Sequence, residues 1–164
     1  MRRALTALLC FAALGLGGCG FTPLYATPGV TSGLAAVQVV APEGRTGYLL
    51  REYLDDALAK DRGAAPAYRM ELQLTEQRYP RGLRIDNVAT RYEYVLIATY
   101  ALIRLPSGER ARNGQVRIQL TYDSADQPYA SIAAQQDVAD RAAQEAARRI
   151  QLEVAAWMAN RAKG

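Results

Sequence analysis

The chain has 164 residues, a net charge of +4 and no histidine. The absence of histidine, together with only 2 cysteines, excludes histidine-based catalysis and argues against metal sites built from cysteine and histidine. The length suits one domain with a hydrophobic core and is short for two.

The beginning of the chain has the pattern of a lipoprotein signal peptide. Arg2 and Arg3 are followed by an apolar stretch over 4–16, by two glycines and by Cys19. The apolar stretch is shorter than the roughly 20 residues that span a bilayer. We therefore predict cleavage before Cys19 and attachment of diacylglycerol and an N-acyl lipid to this cysteine, with no other cofactor. The alternative is an ordinary cleaved signal with a chance cysteine near the cut.

Cys19 would be the only thiol of the mature chain, because Cys10 lies in the segment that is removed. A disulfide within one mature chain is then impossible, and acylation explains the single exported cysteine. Two or three acyl chains hold a protein firmly on a membrane. Gly20 rather than aspartate follows the cysteine, which favours the outer membrane in enterobacterial-type sorting. The sequence thus predicts a lipid-anchored protein on the periplasmic side of the outer membrane.

The segment after the cleavage site is rich in glycine, proline and threonine and shows no periodicity. This composition predicts an extended tether between the lipid and the domain. Its Phe21, Leu24 and Tyr25 either dock on a partner or lie at the membrane interface. The predicted organisation is a signal peptide over 1–18, a lipidated tether over 19–33 and a single domain over 34–164.

Alternating and helical patterns predict the secondary structure of this domain. Residues 68–76 alternate strictly between apolar and polar side chains, which is typical of a strand with one buried face. The predicted strands are Ala35–Val40, Tyr68–Glu76, Thr90–Leu105 and Gly114–Tyr122, and the predicted helices run from Thr46 to Lys60 and from Tyr129 or Ser131 to Ala159. The order β-α-β-β-β-α predicts an α+β fold, a two-layer sandwich with two helices packed on one face of a four-stranded, mostly antiparallel sheet.

The third predicted strand carries apolar residues on both sides. Val95, Ile97, Ala101 and Ile103 lie on the side opposite its tyrosines. Coverage on both faces is expected of a central strand or of a protein contact.

Several short segments occur in an order typical of one protein family. They are Cys19–Tyr25, Ala89–Tyr92, Tyr100–Leu102 with Pro106–Gly108, and Asp137–Ala143. Together with the cleavage site, they resemble the LptE family of lipopolysaccharide-assembly lipoproteins, particularly its alphaproteobacterial branch. The resemblance implies two helices against a four-stranded sheet. It also implies a non-enzymatic protein that plugs and helps assemble the β-barrel LptD, and that binds lipopolysaccharide during delivery to the outer leaflet.

The middle of the chain is basic, with ten arginines and five acidic residues over 62–117. Arginine can meet the phosphates of lipopolysaccharide with paired, charge-assisted hydrogen bonds. The candidates around the loop between the second and third strands are Arg78, Arg81, Arg84 and Arg91, and Arg110 and Arg112 are the second choice. The alternative is that exposed arginines on strands and loops only keep the protein soluble and prevent edge pairing.

The chain departs from the enterobacterial relatives at the positions of their basic residues. Residues 129–132 read Tyr-Ala-Ser-Ile, and Asp86 falls near the second basic position. The ligand contacts of those relatives are therefore not transferred to this chain, and any replacement contact would come from the nearby arginines.

Two other functions fit parts of the sequence. A different envelope lipoprotein, such as a pilotin or an assembly factor for another outer-membrane complex, would share the sandwich by analogy alone. Arginines and tyrosines together also suit nucleic-acid binding, but export makes that partner implausible. Co-purification with LptD, as against a secretin or another assembly machine, separates these classes.

Overall fold

The computed structural model describes residues 28–83, 89–124 and 127–162, which form three helices and four strands. The helices are α1 (Val30–Ala35), α2 (Arg45–Ala57) and α3 (Pro128–Arg161), and the strands are β1 (Val37–Val40), β2 (Tyr68–Leu83), β3 (Ala89–Arg104) and β4 (Arg110–Asp123). Apart from the short α1, this is the predicted order β-α-β-β-β-α. The predicted signal peptide, Cys19 and the tether as far as residue 27 lie outside the described residues.

All four strands belong to one sheet in the order β1-β2-β3-β4. β1 runs parallel to β2, whereas β2 with β3 and β3 with β4 are antiparallel. The predicted α+β sandwich with a mostly antiparallel sheet is therefore confirmed. β2 continues to Leu83 instead of ending at Glu76, because it stays paired with β3 along its whole length. This extension carries no apolar alternation that would have indicated a strand.

The short helix α1 lies within part of the segment that the sequence analysis assigned to an extended tether. Val30 and Leu34 are four residues apart, lie on the same side of the helix and are buried. A Cβ on Gly33 would lie 3.0 Å from the sulfur of Met158, so α1 packs closely against the end of α3. Two buried residues in one and a half turns are too few for a periodic signal. The chain is thus already folded at Val30, ahead of the predicted domain boundary.

The two longer helices pack side by side on one face of the sheet. Leu50 and Leu54 lie on the buried side of α2, and Leu58, directly after its end, is buried with them. α3 approaches closely through small buried residues, which are Ala142, Ala143, Ala146, Ala147 and Ala155. Two polar contacts join the helices: Tyr53 donates to Asp140 Oδ1 at 2.5 Å, and Gln151 Nε2 donates to the Ala57 carbonyl at 2.5 Å. No helix in the described part of the chain combines the length and apolar character needed to cross a membrane.

The opposite side of the sheet, which we call the open face, carries the odd-numbered residues of β3. Val95 is completely buried there, and Ile97, Ala101 and Ile103 are half-buried. Val95 pairs directly with Gln77 on β2 and Gln119 on β4, so long polar side chains flank it. The open face therefore has an apolar centre with polar margins, as the pattern of the third strand predicted.

Candidate functional site

The two main helices differ in length, and this difference leaves a cleft on the helix-bearing side of the sheet. α2 has 13 residues and α3 has 34, which correspond to about 20 Å and about 50 Å. The first turns of α3 extend beyond the start of α2 at Arg45, toward the β2–β3 hairpin. The resulting hairpin-end cleft measures about 570 Å³. Its charged and polar lining is Glu43, Arg45, Thr46, Glu76, Arg78, Tyr94, Gln135 and Gln136, and its apolar lining includes Pro42, Leu74, Ile132 and Ala139.

Tyr94 forms part of the wall of this cleft and is almost completely buried. Its hydroxyl donates to Glu76 Oε2 at 2.6 Å. Burial, followed by the bond to Glu76, raises the pKa of Tyr94 well above its usual value. The tyrosine therefore stays protonated at neutral pH and holds the Glu76 carboxylate in a fixed position.

The start of α2 is held against the loop that precedes it. A Cβ on Gly47 would lie 2.1 Å from the Pro42 carbonyl oxygen, so only glycine permits this contact. Gly44, just before the helix, has a φ of 112°, which also favours glycine. Together the two glycines fix where α2 begins and hence where Arg45 stands at the edge of the cleft.

Two arginines, Arg45 and Arg78, line the hairpin-end cleft. Arg78 lies on the helix-bearing side of β2, and its Nη1 donates to Gln135 Oε1 on α3 at 2.5 Å. Glu43 and Glu76 line the same cleft, so its two guanidinium charges are matched by two carboxylates. The cleft can accept an anionic group at the arginines and apolar groups at its remaining wall.

The four arginines that the sequence singled out do not form one cluster. Arg78 lies on the helix-bearing side, whereas Arg81 and Arg91 lie on the open face and pair directly across the hairpin. Arg84 lies outside the described residues. The structure thus divides the predicted set between two faces of the sheet.

Arg81 and Arg91 each have an acidic partner. Arg81 donates to Glu93 Oε2 through Nη2 and, at 3.0 Å, through Nε, and this bond holds the pKa of Glu93 below its usual value. Arg91 Nε donates to Asp123 Oδ1 at 2.8 Å, which raises the pKa of Arg91. Both arginine side chains remain 60% exposed, so each can still meet a second anion.

The two second-choice arginines lie toward the other end of the sheet. Arg110 pairs with Ile103 at the beginning of β4. Arg112 Nε donates to the Tyr100 hydroxyl at 3.2 Å and lies 4.0 Å from Glu153. Arg112 therefore supports a buried tyrosine rather than joining the hairpin arginines.

Arg45 is the cleft arginine that the sequence analysis did not identify. Its position depends on where α2 begins relative to α3, which a single strand or helix pattern does not reveal. Tyr129 is 89% exposed and Ile132 51% exposed at the start of α3, and Ile132 lines the cleft.

Within the described ranges, no group of three or more acidic or cysteine residues could hold a metal ion.

The chain matches a family model and a closely similar solved structure. The LptE family, described as lipopolysaccharide-assembly, matches residues 34–154. The crystal structure of a candidate lipoprotein from Caulobacter crescentus has 53% sequence identity and a TM-score of 0.70, covering 81% of this chain and 97% of that chain.

Two more distant lipoproteins share the fold. The rare lipoprotein B from Shewanella oneidensis has a TM-score of 0.59 at 17% identity, covering 76% of this chain and 95% of that chain. An uncharacterised lipoprotein B from Nitrosomonas europaea has a TM-score of 0.57 at 14% identity, covering 74% and 83%. No curated protein matches the chain. The family model extends over most of the sequence and confirms the resemblance noted above, so the chain belongs to the LptE family of lipopolysaccharide-assembly proteins.

Proposed function

We propose that this protein is a non-enzymatic lipoprotein held by acylated Cys19 on the periplasmic side of the outer membrane. There it plugs and helps assemble an LptD-type β-barrel and assists delivery of lipopolysaccharide to the outer leaflet. Membership of the lipopolysaccharide-assembly family supports the general role. The lipid anchor, the barrel and the direct contact with the glycolipid are the specific parts of the proposal.

The observation that carries the glycolipid contact is the mixed lining of the hairpin-end cleft. Arg45 and Arg78 supply guanidinium groups, while Leu74, Ile132 and Ala139 supply apolar surface. Lipopolysaccharide combines phosphates with acyl chains, so it offers a counterpart to both parts of the lining. The exposed hairpin arginines lie just beyond the cleft, on the other face of the sheet, where they can meet further anionic groups.

The open face of the sheet supports the contact with a barrel. Ile97, Ala101 and Ile103 form a half-buried apolar row there, while both long helices pack on the other face. A surrounding partner would bury the remaining exposed part of this row. The face also carries amide and hydroxyl side chains, among them Thr99, Gln115 and Gln119, which can hydrogen-bond with the polar interior of a barrel.

Affinity purification of the acylated protein from detergent-solubilised envelopes tests the proposal. We expect an outer-membrane barrel of the LptD type to co-purify in approximately equal amount, identified by mass spectrometry. A secretin in its place would favour the pilotin alternative. Recovery of the acylated protein without a barrel would contradict the proposal that it plugs a barrel.

A further inference from the structure

At the end of the domain opposite the hairpin, α1 and the last turns of α3 line a small pocket that is open to solvent. It measures about 290 Å³, and its lining includes Pro28, Tyr68, Trp157, Met158 and Arg161. Tyr68 meets the Trp157 ring edge-on, with ring centres 5.9 Å apart, and the Arg161 guanidinium lies 5.1 Å from the centre of the same ring. We call Tyr68, Trp157 and Arg161 the anchor-end cluster.

The length of chain before this pocket places it near the membrane. Pro28 lines the pocket and is nine residues after Cys19 in the sequence. Nine residues extend at most about 30 Å, at roughly 3.3–3.6 Å per residue. If Cys19 is acylated, as proposed above, the bilayer surface is within this distance of the cluster. The hairpin end lies about 50 Å from the cluster along α3, which is more than this segment can span.

The chemistry of the cluster matches the interface between lipid and water. Tryptophan and tyrosine favour this region because their rings are apolar while their N–H and O–H groups form hydrogen bonds. Arginine there reaches lipid phosphates while its stem stays on apolar surface. Arg161 is exposed at the C-terminal end of α3 and covers one side of Trp157.

We propose that the anchor-end cluster contacts the phosphate headgroup region of the membrane that holds the lipid anchor. The occupant of this surface is therefore the bilayer itself. In this position the acylated protein stands on the membrane with the hairpin-end cleft directed away from it before any barrel is bound. The inference rests on the proposed acylation of Cys19 but not on the barrel or on lipopolysaccharide.

Trp157 is the only tryptophan of the chain and reports on this contact directly. The mature acylated protein is reconstituted, without a barrel, into vesicles of phosphatidylethanolamine and phosphatidylglycerol. Part of the lipid carries bromine near the top of its acyl chains and quenches nearby tryptophan. We expect strong quenching of Trp157 and a blue shift of its emission relative to the protein in lipid-free solution.

A matched variant moves the reporter to the other end of the same molecule. In Trp157→Phe combined with Tyr129→Trp, the only tryptophan stands at the start of α3, at a position 89% exposed in the wild type. We expect this tryptophan to remain unquenched in the same vesicles. Equal quenching of both reporters, or no quenching of Trp157, would overturn the proposal.

Reversal of one charge tests whether lipid phosphates take part. Arg161→Glu should weaken the contact at least about five-fold, since one basic residue near an anionic surface contributes on the order of that factor. Arg148→Glu on the exposed side of α3 should leave quenching unchanged. Emission that is the same in vesicles as in lipid-free solution, without quenching, would refute the bilayer contact. Failure to recover a barrel from envelopes would not affect any of these readouts.

Discussion

Tyr100 lies across Gly114, its direct partner on β4. The tyrosine is completely buried, and its hydroxyl donates to Glu153 Oε2 at 2.7 Å and accepts from Arg112 at 3.2 Å. A Cβ on Gly114 would lie 2.5 Å from the hydroxyl oxygen. The requirement for glycine within this strand is therefore steric: the aromatic ring occupies the space that a side chain would fill.

We expect Gly114→Ala to lower the free energy of unfolding by about 1–3 kcal/mol, the usual cost of overpacking a core. Urea denaturation followed by circular dichroism measures the change. Gly63→Ala is the control, because its Cβ would meet only the Asp61 carboxylate, at an ordinary 3.4 Å. Equal stability of the Gly114→Ala variant and the wild type would show that the ring moves aside without cost.

The same tyrosine predicts a loss of stability at alkaline pH. Burial raises the pKa of Tyr100 to about 12 from its usual 10. The unfolded chain therefore loses this proton at a lower pH than the folded protein does. The stabilisation that the protonated Tyr100 gives to the folded state is complete below pH 10 and disappears as the pH rises toward 12. Between pH 9 and 11, the free energy of unfolding of the wild type should fall by about 1 kcal/mol more than that of Tyr100→Phe. Parallel pH profiles for the two proteins would contradict the assignment.

At the scale of the elements, β3 is the strand on which both proposed contacts depend. Its helix-bearing side contributes Tyr94 to the cleft, and its open side carries the apolar row. Because successive side chains of a strand point to opposite faces, one strand can serve a ligand on one side and a protein on the other. Substitutions on the two sides should therefore have separable effects.

Charges introduced on the open face should prevent barrel association. We expect Ile97→Glu combined with Ile103→Glu to abolish co-purification of the barrel, because a carboxylate in a closed interface loses its hydration. Both positions are half-exposed in the free protein, so the fold should survive, as circular dichroism would show. Leu152→Glu, at a position 51% exposed on α3, is the control. Normal recovery of the barrel with the double variant would place the contact elsewhere.

Strict alternation explains why most of the sheet was predictable from the sequence. Residues 68–76 and 114–122 show it clearly, whereas the continuation of β2 to Leu83 is recognisable only through its pairing with β3. The arginine candidates were found from the composition of the segment. The face of the sheet on which each one lies depends on whether its residue number is even or odd, because successive side chains of a strand point to opposite faces. Arg78 is even-numbered, like the buried side chains of β2, whereas Arg81 is odd-numbered, like the side chains of β2 on the open face. Their partners Gln135 and Glu93 required the tertiary structure and the strand register.

At the scale of the whole molecule, α3 connects two chemically different ends. Gln135 on its first turns contacts the cleft arginine Arg78, and Trp157 on its last turns belongs to the anchor-end cluster. If the protein stands on its lipid anchor, ligand binding and membrane contact occur at opposite ends. Loss of one should then leave the other intact.

Lipopolysaccharide binding should depend on the hairpin end alone. We expect Arg45→Ala with Arg78→Ala to weaken binding at least about ten-fold, since a hydrogen bond to a charged group contributes about 1.5–3 kcal/mol. Arg81→Ala with Arg91→Ala should weaken binding less. Glu93 and Asp123 already accept hydrogen bonds from these two guanidinium groups, so fewer of their N–H donors are free for the ligand.

Binding of purified lipopolysaccharide to the detergent-solubilised protein, measured by fluorescence anisotropy, compares these variants. Arg161→Ala serves as the control from the other end of the molecule and should bind as the wild type does. Unchanged binding in both double variants would reject the arginine contacts.

The continuity of α3 restricts how this chain can change in length. Adding or deleting one residue between Gln135 and Trp157 would shift one end relative to the other by about 1.5 Å and rotate it by about 100°. The alanines that let the helix approach the sheet would then turn away from it. A change of about seven residues, close to two full turns, is needed before the orientation of both ends is nearly restored. Insertions and deletions are therefore better tolerated in the loops, whereas this part of the helix can vary mainly by substitution.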